Sequence, residues 1–215
     1  MKNRYITSIL FSLWAFSPIV ALEVPTTSAD EALKRIMEGN TRYVKDKLIH
    51  PDRTSDRREA VSSKQYPIAT IVGCSDSRVA PEIIFDQGIG DIFVVRVAGN
   101  VVGEIELNSI DYAADILHAP LIIVLGHENC GAVSAVIEGK ATDDIAAIAH
   151  LIQPAFEIAK QEEGNLLENT VKENVRLVVR YLEQTPILKS LIEKGQVKIV
   201  GAYYHLNTGE VKILK

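Results

Sequence analysis

Four short aliphatic runs constrain this chain most: Ile68 to Val72, Ile92 to Val97, Leu121 to Leu125 and Val197 to Tyr203. Their richness in Val and Ile predicts strands buried on both faces, as in a parallel sheet covered by helices. Helical patterns fill the intervals, at Ile105 to Leu117, Ala132 to Ile137, Ala146 to Lys160 and Val171 to Leu182. Strands alternating with helices imply an α/β fold, a mostly parallel β-sheet flanked by helices. Leu206-Asn207-Thr208-Gly209 reads as a turn, and Glu210 to Leu214 as a C-terminal antiparallel strand. Ahead of the sheet, Asp30 to Val44 reads as an amphipathic helix capped by Ser28 or Asp30. The charged stretch from Lys45 to Gln65 has poor periodicity and is read as loop, or as helix packed on another subunit.

With 47% apolar residues among 215, one domain can build its core without help from disulfides. A formal net charge of −5 argues against a nucleic-acid partner. The first residues follow a different pattern. Lys2 and Arg4 precede an apolar stretch from Ile6 to Val20, which Pro18 breaks before the small Ala21. That is the pattern of a secretory signal peptide. Ser8, Ser12 and Ser17 interrupt the run, against the ~20 unbroken apolar residues of a membrane anchor. We therefore expect a signal peptide at 1–21, a linker at 22–29 and a single domain at 30–215. A periplasmic or secreted address follows, without stable membrane association after cleavage.

Two loops carry the chemistry. Gly73-Cys74-Ser75-Asp76-Ser77-Arg78 follows the first expected strand, and Gly126-His127-Glu128-Asn129-Cys130-Gly131 follows the third. Sites in open α/β sheets form outside the carboxyl ends of strands, so both loops can open onto one crevice. Two thiols, an imidazole and a carboxylate are donors that zinc accepts in a tetrahedron. One helical turn would bring His127 and Cys130 to one face. A single disulfide is the competing reading in an exported chain, but it explains neither Asp76 nor His127. His50, His118, His150 and His205 lack companion ligands, and Asp86, Asp91, Glu104 and Glu106 read as loop or cap acids.

The two loops resemble the two signatures of the β-carbonic anhydrases. The likeness continues through Phe93-Val94-Val95-Arg96-Val97-Ala98-Gly99-Asn100, Ser109-Ile110-Asp111-Tyr112-Ala113 and Ala32 to Asn40, so it spans nearly everything after Asp30. The resemblance implies one Zn2+ per chain, bound by Cys74, His127 and Cys130 with water or Asp76 as fourth ligand. It implies reversible hydration of carbon dioxide to bicarbonate by hydroxide generated on that zinc, with Asp76 paired to Arg78 when the site is open. It places Gln87 against substrate in the neighbouring subunit's site, Gly131 near a bicarbonate oxygen, and Phe85, Val101 and Tyr112 along the apolar pocket. A homodimer or higher homo-oligomer is implied, with the N-terminal helices embracing a partner. Some bacterial relatives carry a tryptophan three residues before the first cysteine as part of an inhibitory bicarbonate pocket; here the position is Ile71. Hydrolysis of carbon disulfide or carbonyl sulfide occurs on the same fold and is a rival activity. A non-enzymatic zinc protein is the other alternative, although it would be expected to lack Asp76 or Arg78.

Overall fold

The expected strands form, and their register decides where the functional loops meet. The computed structural model describes residues 27–214, so the expected signal peptide and most of the linker lie outside the described residues. In chain order the elements are α1 (Ala29–Val44), α2 (Ser55–Ala60), β1 (Ala69–Gly73), α3 (Pro81–Ile84), β2 (Ile92–Arg96) and α4 (Glu104–Asp111). There follow β3 (Leu121–His127), α5 (Gly131–Ile137), α6 (Ala146–Ala159), α7 (Leu166–Gln184), α8 (Pro186–Glu193), β4 (Lys198–Tyr204) and β5 (Val211–Ile213). The five strands lie in the order β2-β1-β3-β4-β5, with the first four mutually parallel and β5 antiparallel to β4.

From β1 the chain first adds β2 on one side, then crosses to place β3 on the other. This reversal makes the β1/β3 boundary a topological switch point, where the loops leaving neighbouring strands diverge and open a crevice. The central strands are buried along their whole length, as their composition requires. Alternate residues serve opposite layers. Ile71, Ile123 and Leu125 pack with Ala32 and Ile36 of α1, while Val72, Ile122 and Val124 pack with Val175, Val178 and Leu182 of α7.

Two glycines let α7 lie close on that second face. A Cβ on Gly126 would come within 2.6 Å of Val175 Cγ2 and 2.8 Å of Val171 Cγ1; one on Gly201 would meet Val175 Cγ1 at 2.8 Å. Val175 thus fills a notch spanning β3 and β4. On the opposite face, α1 begins with a reciprocal cap. Ser28 Oγ accepts from the Glu31 N–H at 3.2 Å, and Glu31 Oε2 accepts from the Ser28 N–H at 3.0 Å. Its buried residues cover the sheet of their own chain.

Several boundaries differ from expectation. The Ile105–Leu117 pattern divides into α4 and a π-helical turn over Tyr112–Ile116, closed by the Leu117 N–H to the Tyr112 carbonyl at 3.1 Å. Helix α7 begins at Leu166, ahead of the expected Val171, where Asn165 caps it by accepting from the Glu168 N–H. Pro186 starts α8, a helix not among the expected elements, because its fixed φ suits the first helical position. Within 45–65, Thr54 caps the short, exposed α2. Among the described residues, no helix is long and apolar enough to cross a membrane.

Candidate metal centre

Cys74 follows β1 directly, His127 is the last residue of β3, and Cys130 precedes the first turn of α5. Because β1 and β3 are adjacent, residues separated by more than fifty positions converge. One potential ligand atom from each of Cys74, His127 and Cys130 lies within 4.8 Å of the others, and all three side chains are buried. A tetrahedral zinc with bonds of ~2.3 Å sets neighbouring sulfurs about 3.8 Å apart, so the cluster has the right size.

The imidazole supplies an independent test. His127 Nδ1 is 2.8 Å from the Glu128 carbonyl, which can only accept, so the ring proton sits on Nδ1. Nε2 then carries a free lone pair. It is fully buried and has no hydrogen-bond partner among the described residues, although burying a polar atom unsatisfied is costly. A metal ion removes that penalty, and a carbonyl-fixed tautomer is how proteins orient ligating histidines. The two cysteines are unbridged. The neighbouring Cys130 thiol pulls Cys74 down, against the opposing effect of burial, with further help from His127 and the Gly99 N–H. The same proximity, together with burial, drives Cys130 upward. Two close thiols of this kind are donors that a divalent cation would deprotonate outright.

Asp76 is held beside the cluster. Its Oδ1 accepts from Arg78 Nε at 2.9 Å and from the Arg78 backbone N–H at 2.9 Å, and its Oδ2 accepts from Arg78 Nη2 at 2.7 Å. The Arg78 guanidinium holds this carboxyl well below the usual range, outweighing burial. Oδ2 stands 3.9 Å from His127 Nε2. Arg78 also donates to the Asn129 carbonyl at 3.3 Å, tying the two loops together. The ligand cluster contains Cys74, His127 and Cys130; Asp76, expected as an alternative fourth ligand, is engaged by Arg78 instead.

Arg96 received no separate role from the sequence, although it lies inside the Phe93–Asn100 stretch. It ends β2 opposite Gly73, and its guanidinium bridges the Cys74 carbonyl at 2.9 Å and the Asp76 carbonyl at 2.7 Å. Only the register of β2 on β1 reveals that contact. Val101 packs with Cys74 and Cys130, and Gly131 opens α5 directly after the last ligand. The remaining expected pocket residues lie elsewhere within one chain. Phe85 is in the core on the α1 face. Gln87 is buried, with Nε2 donating to the Phe85 and Asp86 carbonyls at 2.7 and 3.2 Å and Oε1 without a partner among the described residues. Tyr112 is 47% exposed and lines a separate groove with Tyr66, Ile116 and His118.

The acids read as structural are so placed. Asp86 accepts from Arg42 and the Ile49 and His50 backbones, Asp91 meets Arg35 and Arg57, and Glu106 receives the Gly103 N–H at the start of α4. Glu104 is exposed.

Comparison with known proteins agrees with this geometry. Residues 69–211 match the family model described as carbonic anhydrase. A carbonic anhydrase of Mycolicibacterium smegmatis is 36% identical over 197 residues, covering 88% of this chain and 95% of the relative. Carbonic anhydrase 2 of Mycobacterium tuberculosis is 37% identical over 194 residues, covering 86% and 93%. Among solved structures, the β-carbonic anhydrase CcaA superposes with a TM-score of 0.68 at 26% identity, covering 85% of this chain and 87% of that one. A Coccomyxa β-carbonic anhydrase in complex with acetazolamide gives 0.68 at 27%, covering 85% and 86%. A buried Cys-His-Cys cluster at the switch point of this sheet, on a chain matched over most of its length, means that the protein belongs to the β class of the carbonic anhydrase family.

Proposed function

We propose that this chain catalyses the reversible hydration of carbon dioxide to bicarbonate and a proton, at one zinc ion per chain held by Cys74, His127 and Cys130. The observation that carries the reading is the buried cluster with its orphaned Nε2 lone pair, open at one side to Asp76. Zinc held by these residues would supply Lewis acidity, lowering the pKa of water toward ~7 so that a nucleophile is available at neutral pH.

The protein groups do the rest. His127 keeps its proton on Nδ1 and presents a neutral donor. Asp76, kept anionic by Arg78 beside the cluster, would accept a hydrogen bond from the attacking oxygen and turn its lone pair toward carbon. With its carboxylate engaged by Arg78, Asp76 would leave the zinc to water and substrate. Val101 and Val133 form apolar wall beside the thiols, suited to a small nonpolar substrate and to the exclusion of bulk water. Stopped-flow hydration with a pH indicator tests this reading. Zinc-loaded protein should accelerate the reaction far beyond metal-free protein, and equal rates would refute it.

The same proposal covers address and assembly. Lys2, Arg4 and the apolar run to Val20 support export through a signal peptide at 1–21, with a linker at 22–29 and the catalytic domain at 30–215. A fusion of residues 1–23 to a reporter should leave the cytoplasm; retention would refute it. Ile105 and Ile116, 77% and 60% exposed around α4, support a homodimer or larger assembly, which sedimentation would detect. The net charge of −5 supports no nucleic-acid role.

A further inference from the structure

One ligand sulfur is fixed by a residue that belongs to neither ligand loop. Cys74 Sγ accepts the Gly99 N–H at 3.2 Å. Gly99 is in the left-handed region at φ 72°, and a Cβ there would come within 2.7 Å of Ile152 Cδ1, so only glycine fits, and its freedom makes an outside anchor the means of fixing its direction. The anchor comes from α7. Asn174, 1% exposed, donates from Nδ2 to the Gly99 carbonyl at 2.8 Å. Asn174 lies between Val171 and Val175, whose methyls fill the space that Gly126 leaves open before His127. One stripe of α7 therefore touches the backbone beside two ligands, packing on the strand that carries His127 and hydrogen-bonding the carbonyl of Gly99, the residue whose own N–H, one peptide unit earlier, donates to Cys74.

We propose that Asn174 is a positioning residue of the metal centre, acting through Gly99 on the Cys74 sulfur; this rests on the metal-binding reading above. An N–H aimed at a ligand sulfur draws charge from the thiolate and fixes its direction. Loss of such supporting contacts lowers metal affinity about 10–100-fold. The amide of Asn174 is what a hydrophobic residue cannot replace, since the Gly99 carbonyl is buried and needs a donor.

The experiment uses the full domain with zinc, and with cobalt as the spectroscopic probe. Chelator competition should show Asn174→Ala and Asn174→Asp binding zinc about 10–100-fold more weakly than the parent. Their cobalt–thiolate charge-transfer band should move, and the Gly99 amide proton should lose protection from exchange. Asn169→Ala, on the same helix as Asn174, removes a side-chain bond to the Glu163 carbonyl in the loop before it and should change none of these. Melting of each metal-free variant separates loss of folding from loss of positioning, and Asn174→Ser supplies a milder truncation if a larger change prevents folding. Variants of Asn174 that keep zinc affinity within twofold of the parent, with the charge-transfer band unmoved, overturn the inference while leaving the metal reading intact. A parent protein that binds no zinc overturns both.

Discussion

Replacing Gly126 by Ala should expose how tightly α7 is fitted to the end of β3. The added methyl would lie 2.6 and 2.8 Å from methyls of Val175 and Val171, both on a packed helix rather than at the end of a flexible side chain. Overpacking of this kind costs about 1–3 kcal/mol. Alanine's better backbone entropy returns about 0.5–1 kcal/mol, so a net loss of about 1–2 kcal/mol is expected. Val175→Ala alone removes two buried methylene equivalents, about 1.6 kcal/mol at ~0.8 each before any cavity contribution. In the double variant the new methyl enters space vacated by Val175, while Val171 still crowds it. The two changes should therefore couple favourably by about 1 kcal/mol. Denaturant unfolding of metal-free protein, at fixed protomer concentration, measures each corner of the cycle. Costs that add to within about 0.5 kcal/mol would show that the notch is not where the strain goes.

Three further outcomes are expected. Cys130→Ser should lose nearly all bound zinc by metal analysis, since a hydroxyl replaces a thiolate in a three-residue cluster; stoichiometric zinc in that variant would remove Cys130 from the ligand set. Burial would raise the Asp86 carboxyl, but Arg42 and the Ile49 and His50 N–H groups outweigh it and hold it below its ordinary value. Its stabilisation is therefore complete above the unfolded value of ~3.9 and lost as pH falls through the lower folded one, so Arg42→Ala should lose about 3 kcal/mol near neutrality and show a shallower acid limb in unfolding experiments. With Ile71 in place of an indole donor and Asp76 clamped by Arg78, bicarbonate should inhibit hydration without cooperativity; steep, multi-proton inhibition deepened by bicarbonate would contradict this.

Much of the centre was legible because its chemistry is local in sequence. Cys74, Asp76 and Arg78 lie within five residues, and His127 and Cys130 within four, each group following a strand whose composition announces it. Aliphatic runs between helices have few alternatives, so the mostly parallel sheet was readable as well; its strand order and switch point were not, and β2 and β4, expected buried on both faces, are only partly so. What escaped depends on register and on helices that pack by shape. Arg96 reaches the Cys74 and Asp76 carbonyls only because β2 pairs with β1 at that offset. Asn174 looks like an ordinary polar residue on an amphipathic helix until the glycines of β3 and β4 allow that helix to approach. Helix α8 was not assigned from the sequence, although a proline can open a helix at its first position, as Pro186 does.

The ligands' separation along the chain also has a kinetic meaning. An ion joining Cys74 to Cys130 closes a loop of more than fifty residues around β2, α4 and the β1/β3 crossover. Pairings so distant in sequence form late, since the entropy of closing the loop must be spent before any contact is gained. A growing chain has no complete centre until Cys130 has emerged, by which point β1, β2 and β3 are all available. Capture of the ion would then act as a final latch on a largely assembled sheet. Its hold on the folded state would follow metal activity, strengthening by RT ln(1 + [L]/Kd) wherever zinc is plentiful and lapsing wherever a chelator keeps it scarce.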